Sequence, residues 1–275
     1  MDQRAGAAPT GLRIARGTLR GRAIRYGVRP GDPARPPLLL FNGLGANIEM
    51  ALPFIEALPG LTILIFDAPG VGGSPAPLVP YRLSTVAHLG VALLDQLGYR
   101  QADVLGVSWG GAVAQEFAFG HAARCRRLVL AATSTGSIMV PGDLSVLLAM
   151  ATPRRFVAAG RAYPDAGRIY GGRLRTDPTL ARRTLQHVRF SSRRGYYLQL
   201  AAASGWTSLP WLWTVRQPTL ILAGAHDPIV PPLNARILQR LLPDARAVEL
   251  DCGHLFLLTL AQESARLVDD FLARP

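Results

Sequence analysis

Residues 102–120 read A-D-V-L-G-V-S-W-G-G-A-V-A-Q-E-F-A-F-G. Residues 102–107 are a short apolar run of the kind that forms a buried strand, and residues 110–123 are Ala-rich and helical in character. Between them lies Gly106-Val107-Ser108-Trp109-Gly110. A G-x-S-x-G pentapeptide between a strand and a helix predicts a turn so sharp that the serine side chain stands exposed above the sheet. The flanking glycines are required because a Cβ at either position would collide with the neighbouring strand or helix. Ser108 is therefore the candidate nucleophile.

Serine is weakly nucleophilic at its free pKa, so a base must accept its proton during attack. Two later strands supply candidates. Pro218 to Gly224 (P-T-L-I-L-A-G) ends in the loop A-H-D-P-I-V-P, which carries Asp227. Ala247 to Asp251 ends in C-G-H-L-F, which carries His254. Both residues fall just past the carboxyl end of a strand, where open α/β sheets bind ligands. His254 is the expected general base, and Asp227 would fix its tautomer and stabilise the imidazolium. His226 has no motif of its own, Asp251 falls inside the strand end, and His88, His121 and His187 lie in helical stretches; none is assigned a role.

Two backbone N–H groups are expected to form an oxyanion hole. One belongs to Trp109, after the nucleophile. The other belongs to Leu44, in the loop N-G-L-G-A-N after the strand Pro37 to Phe41. Asn42 and Gly43 of that loop are candidate substrate contacts. F-D-A-P-G-V-G-G-S (Phe66 to Ser74) has G-x-G-like spacing but lacks the full dinucleotide fingerprint, and a Pro-rich stretch follows it instead of a helix. It reads as a structural turn.

The order of elements organises the rest. Residues 12–28 alternate apolar and polar around Gly17 and read as an antiparallel hairpin. Ile48 to Leu58 and Ser84 to Leu97 read as helices, and Leu61 to Phe66 and Arg127 to Ala132 as strands. This alternation predicts an α/β fold with a mostly parallel sheet and helices on both faces. Residues 135–215 differ in character and contain Trp206, Trp211 and Trp213, three of the four tryptophans. They read as a helical cap inserted between two parts of the core, 1–134 and 216–275. Trp206 and Trp211 are candidate contacts for an apolar substrate.

Composition fits a globular chain of 275 residues, 49% hydrophobic and 17% charged. No apolar run approaches a membrane span, and residues 1–13 contain no apolar signal core. The two cysteines show no framework spacing and read as free thiols of a reducing cytoplasm. No His/Cys cluster implies a metal, and no cofactor is expected. The net charge is +12, and all 30 basic residues are arginine. The charge concentrates in residues 1–36 (net +6) and 135–215 (net +8), while the remainder is net −2. Such placement suits an anionic surface or acyl chains ending in carboxylates. No motif or stacking platform points to nucleic acid. A homo-oligomer is compatible with the sequence.

Taken together, these motifs resemble the intracellular medium-chain-length polyhydroxyalkanoate depolymerases of the α/β-hydrolase superfamily. The segments that carry the resemblance run from about residue 38 to 258: F-N-G-L-G-A-N, F-D-A-P-G-V-G-G-S, G-V-S-W-G-G-A, L-V-L-A-A-T, M-V-P-G, I-Y-G-G, G-W-T-S, P-T-L-I-L-A-G and G-H-L-F. Asn42-Gly43, I-Y-G-G and G-W-T-S are the more specific ones. The resemblance implies an α/β-hydrolase fold and hydrolysis of stored polyester to 3-hydroxyalkanoic acids or oligomers. It implies Ser108, Asp227 and His254 as the triad, and attachment to a cytoplasmic storage granule. Ala225-His226 departs from the more acidic pattern expected before the acid. A small-ester, lactone or carbon–carbon hydrolase on the same triad is the alternative, and a non-catalytic granule-binding protein the third reading. Dehalogenase and epoxide hydrolase chemistry would need a carboxylate where Ser108 stands.

Overall fold

A computed structural model describes residues 11–153, 166–185 and 192–274. Eight strands form one sheet: β1 (Arg13–Leu19), β2 (Arg22–Arg29), β3 (Leu38–Phe41), β4 (Ile63–Phe66), β5 (Ala102–Val107), β6 (Cys125–Ala131), β7 (Thr219–Gly224) and β8 (Ala245–Leu250). Their spatial order is β1-β2-β4-β3-β5-β6-β7-β8. β2 pairs antiparallel with both β1 and β4, and every other pairing is parallel.

The central strands are buried on both faces, as parallel strands covered by helices must be. Alternate side chains enter opposite cores. Leu39 and Val104 join a cluster with α2 (Leu83–Gln96) and α3 (Trp109–Gly120). Leu38, Leu40 and Leu105 join a second cluster on the other face with α1 (Leu52–Glu56) and the C-terminal helix Ala261–Leu272.

Two local expectations are corrected. The hairpin turns at Arg20-Gly21, both at positive φ (47° and 74°), while Gly17 lies within β1 opposite Ile24. A two-residue loop with both residues at positive φ matches the twist of the strands it joins. The single helix expected over 48–58 is a 3₁₀ turn, Ile48–Ala51, followed by the short α1, with Pro53 in its first turn. Proline has no N–H to continue a preceding helix but is well placed to start a new one.

Between β6 and β7 the described regular elements are helical: α4 (Leu144–Met150), α5 (Ala166–Tyr170), α6 (Pro178–Leu185) and α7 (Arg193–Ala203), with short 3₁₀ turns. An isolated bridge joins Gly136 to Thr207. Val146, Ile169, Tyr170, Leu174, Leu185 and Tyr196 from this stretch form a third apolar cluster with Met50 and Ile229. Met50 follows β3 and Ile229 follows β7, so the cluster sits over the carboxyl ends of the strands. α8 (Leu233–Leu241), α9 (Phe256–Thr259) and α10 (Ala261–Leu272) complete the chain.

Candidate active site

Ser108 follows β5 directly and adopts φ 53°, ψ −116°. For a residue with a Cβ this region costs on the order of 1–3 kcal/mol and persists only where surroundings enforce it. The enforcement is visible. Ser108 N donates to Ala131 O at 2.8 Å, and its carbonyl accepts from Thr133 Oγ1 at 2.8 Å and Gly111 N at 2.9 Å. A Cβ on Gly106 would overlap the Gly110 carbonyl, and one on Gly110 would overlap the Phe41 carbonyl. Helix and strand approach closer than any side chain allows, which is what holds the elbow.

His254 and Asp227 come together in a buried pair. His254 Nδ1 lies 2.7 Å from Asp227 Oδ2, and both side chains are almost wholly inaccessible. The other carboxylate oxygen accepts from the backbone N–H groups of Ile229 (2.8 Å) and Val230 (2.9 Å). An ionised carboxylate only accepts, so the imidazole donates from Nδ1 and its Nε2 is left as the acceptor. Ser108 and His254 line the same cavity. No direct hydrogen bond joins them in this structure; in free enzymes the nucleophile–base contact is often long and tightens with substrate.

The cavity is partly open to solvent. Its wall is mainly apolar, with Met50, Phe54, Met150, Leu255 and Leu258 beside the polar groups of Asn42, Ser108, Tyr170 and His254. Gly43 and Leu44 line it as well. Trp109 is the first residue of α3, so its N–H has no acceptor within that helix. The loop after β3 is held by Asn42 Nδ2 donating to Asn47 O (2.9 Å) and by Ala46 N donating to Gly43 O (3.1 Å).

The tryptophans lie elsewhere. Trp206 Nε1 donates to Glu116 Oε1 at 2.6 Å, Trp211 stacks on Phe119 with ring centroids 4.4 Å apart, and neither lines the cavity. Glu116 and Phe119 belong to α3, so the aromatic cluster packs on the flank of that helix. His226 pairs with Asp251 at 3.0 Å on the surface. His88 and His121 meet edge to face with centroids 4.8 Å apart, and His187 lies outside the described residues.

Three features were not assigned from the sequence. Tyr170 O accepts from His254 N at 2.7 Å, and Gly171-Gly172 press on the His254 loop so closely that a Cβ on Gly172 would overlap Gly253 N. The I-Y-G-G segment is thus the seat of the histidine loop. Gln199 of α7 reaches the loop after β3. Asp67, in the turn after β4, is fully buried; it accepts from Ile48 N (2.9 Å), Gly73 N (2.8 Å) and Arg25 Nη1 (2.8 Å), while Arg25 also pairs with Glu49. Burial lifts the Asp67 carboxyl above its usual range, against the pull of Gly73, Arg25 and Ile48. Burial also opposes charge on Glu49, but the bonds from Arg25 hold its carboxyl below the usual range.

Residues 36–259 match the model of the α/β-hydrolase fold. The chain belongs to the α/β-hydrolase family. This hydrolase is 50% identical over 255 residues to the poly(3-hydroxyalkanoate) depolymerase of Ectopseudomonas oleovorans, covering 92% of this chain and 90% of the relative. It is 34% identical to the pimeloyl-[acyl-carrier protein] methyl ester esterase of Aromatoleum aromaticum, covering 86% and 98%. Among solved structures, an enol-lactonase from Burkholderia xenovorans LB400 superposes with a TM-score of 0.79 at 25% identity, covering 94% of this chain and all of that one. By its relationship to the depolymerase, the chain is an enzyme of the ester-hydrolase class. Among the described residues no group of three or more His, Cys, Asp and Glu side chains could hold a metal, and no helix is long and apolar enough to cross a membrane.

Proposed function

We propose that the enzyme is a serine esterase acting on medium-chain poly(3-hydroxyalkanoate). One observation carries the reading: a strained serine and the histidine of a buried His–Asp pair open on one apolar cavity. The half-identical depolymerase supplies the substrate class.

In this mechanism Ser108 Oγ attacks the ester carbonyl as His254 Nε2 takes its proton. Negative charge develops on the carbonyl oxygen and is met by the N–H groups of Leu44 and Trp109. The C–O bond to the alcohol breaks, and His254 returns the proton to the departing alkoxide. Water, deprotonated by His254, then cleaves the acyl-enzyme, releasing a 3-hydroxyalkanoic acid or oligomer and restoring Ser108. Asp227 keeps the imidazole in the working tautomer throughout. The apolar wall from Met50 to Leu258 suits an alkyl side chain, whose burial contributes about 0.8 kcal/mol per CH₂.

Residues 135–215 serve as a cap over this cavity. Leu144 and Leu148 of α4 stand 71% and 64% exposed, and Met150 of the same helix lines the cavity. That face fits contact with a hydrophobic polymer and hence a cytoplasmic enzyme working at a granule surface. A lactone or small-ester hydrolase is the second reading, favoured by the likeness to the enol-lactonase.

The test is release of 3-hydroxy acids from amorphous poly(3-hydroxyoctanoate) and poly(3-hydroxybutyrate) by wild type and Ser108→Ala. Release from the octanoate polymer alone is expected, with a loss of about 10⁶-fold in kcat in the variant. Cleavage of p-nitrophenyl esters without polymer release would move the substrate to small esters. Activity surviving in Ser108→Ala would end the serine mechanism.

A further inference from the structure

Gln199 sits on α7, 154 positions away in sequence from the loop that it touches. Its side chain is 1% exposed. Its Oε1 accepts from Gly45 N at 2.7 Å, and its own carbonyl oxygen accepts from Trp109 Nε1 at 2.9 Å. The two residues next to these contacts are the proposed oxyanion donors. Gly45 follows Leu44, and Trp109 is itself the second donor. Gln199, Trp109, Asn42 and Gly43 also bound a small cavity that shares Asn42, Gly43 and Ala46 with the main one. At one position of the segment between β6 and β7 the side chain therefore holds one side of the hole and the backbone carbonyl the other.

The physical consequence follows from peptide planarity. Fixing the Gly45 N–H fixes the plane of the Leu44–Gly45 peptide, which adjoins the Leu44 Cα. Holding the indole of Trp109 holds the first turn of α3, where the second N–H points out. Oxyanion stabilisation depends on donors placed in advance, and a misplacement of about 1 Å costs on the order of 10²-fold. We infer that Gln199 is a positioning residue that sets the oxyanion hole from α7, so that the hole is complete only when α7 is seated. This rests on the serine-esterase reading above.

Two variants test it, assayed on p-nitrophenyl acetate and octanoate beside wild type and Ser108→Ala. Gln199→Met, close in length but without an acceptor, is expected to lower kcat by about 10- to 100-fold on both esters with KM near wild type. The slow rate should appear equally in labelling by a fluorophosphonate, whose phosphoryl oxygen occupies the same hole. Gln199→Glu keeps an oxygen against Gly45 but introduces an ionisable group beside a site that must stabilise negative charge. Its kcat should fall with rising pH along a titration that wild type lacks. A Gln199→Met enzyme with unchanged kcat per folded molecule, or with a raised KM alone, would assign Gln199 to packing or substrate contact. A Gln199→Glu profile superimposable on wild type would overturn the inference too, and decides it should the Met variant fail to fold. If Ser108→Ala retains activity, the fault lies instead with the serine reading.

Discussion

The turn after β4 and the loop after β7 are built alike and put to different use. Each buries an aspartate just past the carboxyl end of a strand. Asp67 accepts backbone N–H bonds from Ile48 and Gly73, and Asp227 from Ile229 and Val230, all at 2.8–2.9 Å. The partner separates them. Asp67 faces Arg25 of β2, a guanidinium that stays protonated at any working pH. Asp227 faces His254, an imidazole with one nitrogen left to accept a proton. One pair fixes backbone; the other, in the mechanism proposed above, orients a base. A buried carboxylate at a strand end is thus a generic device, and the group opposite it decides between scaffold and chemistry.

Substitutions can break this contrast. Asp227→Asn should have the largest effect, lowering kcat by about 10⁴-fold through the wrong imidazole tautomer. Stability should change little, and steady-state kinetics with urea unfolding would check both. Asp67→Ala should do the reverse: a loss of about 3 kcal/mol in urea unfolding, because Arg25 is left half-paired in a buried site, with kcat of the folded fraction near wild type. A large fall in kcat there would erase the distinction between the two loops. The smallest effect belongs to Glu49→Gln. The folded pKa of Glu49 lies below its unfolded value, so its contribution to stability is present above about pH 4.3 and is lost as pH falls through the folded pKa. The urea midpoints of wild type and variant should differ at pH 7 and converge under acid. A gap that persists at low pH would locate the effect in packing instead of charge.

How much of this was legible beforehand depended on range along the chain. Ser108, Asp227 and His254 could be proposed because each must be one residue type in one place after a strand. The same logic proposed the loop after β3. The cavity wall could not be read, since Met50, Phe54, Met150, Tyr170 and Leu258 come from separate segments and each looks like ordinary core. Trp206 and Trp211 lie off that wall. An aromatic cluster looks like a binding surface, but an indole N–H needs a partner, and Trp206 finds Glu116 on α3. Asp67 was hidden inside a segment correctly read as a turn. Its signal was the pair Gly72-Gly73, where a Cβ on Gly72 would overlap the carboxylate.

The contact of Gly171-Gly172 with the loop bearing His254 has a consequence for anyone recombining these enzymes. Exchanging residues 135–215 for the matching stretch of a relative, in order to change substrate range, would also exchange the floor on which the histidine rests. A transplant that arrives with a side chain at Gly172 would press on Gly253 and displace His254, and one at Gly171 would press on the His226 carbonyl beside Asp227, before any new substrate were met. Chimeras should therefore be cut so that Tyr170, Gly171 and Gly172 travel with the histidine loop, as though they were its own residues.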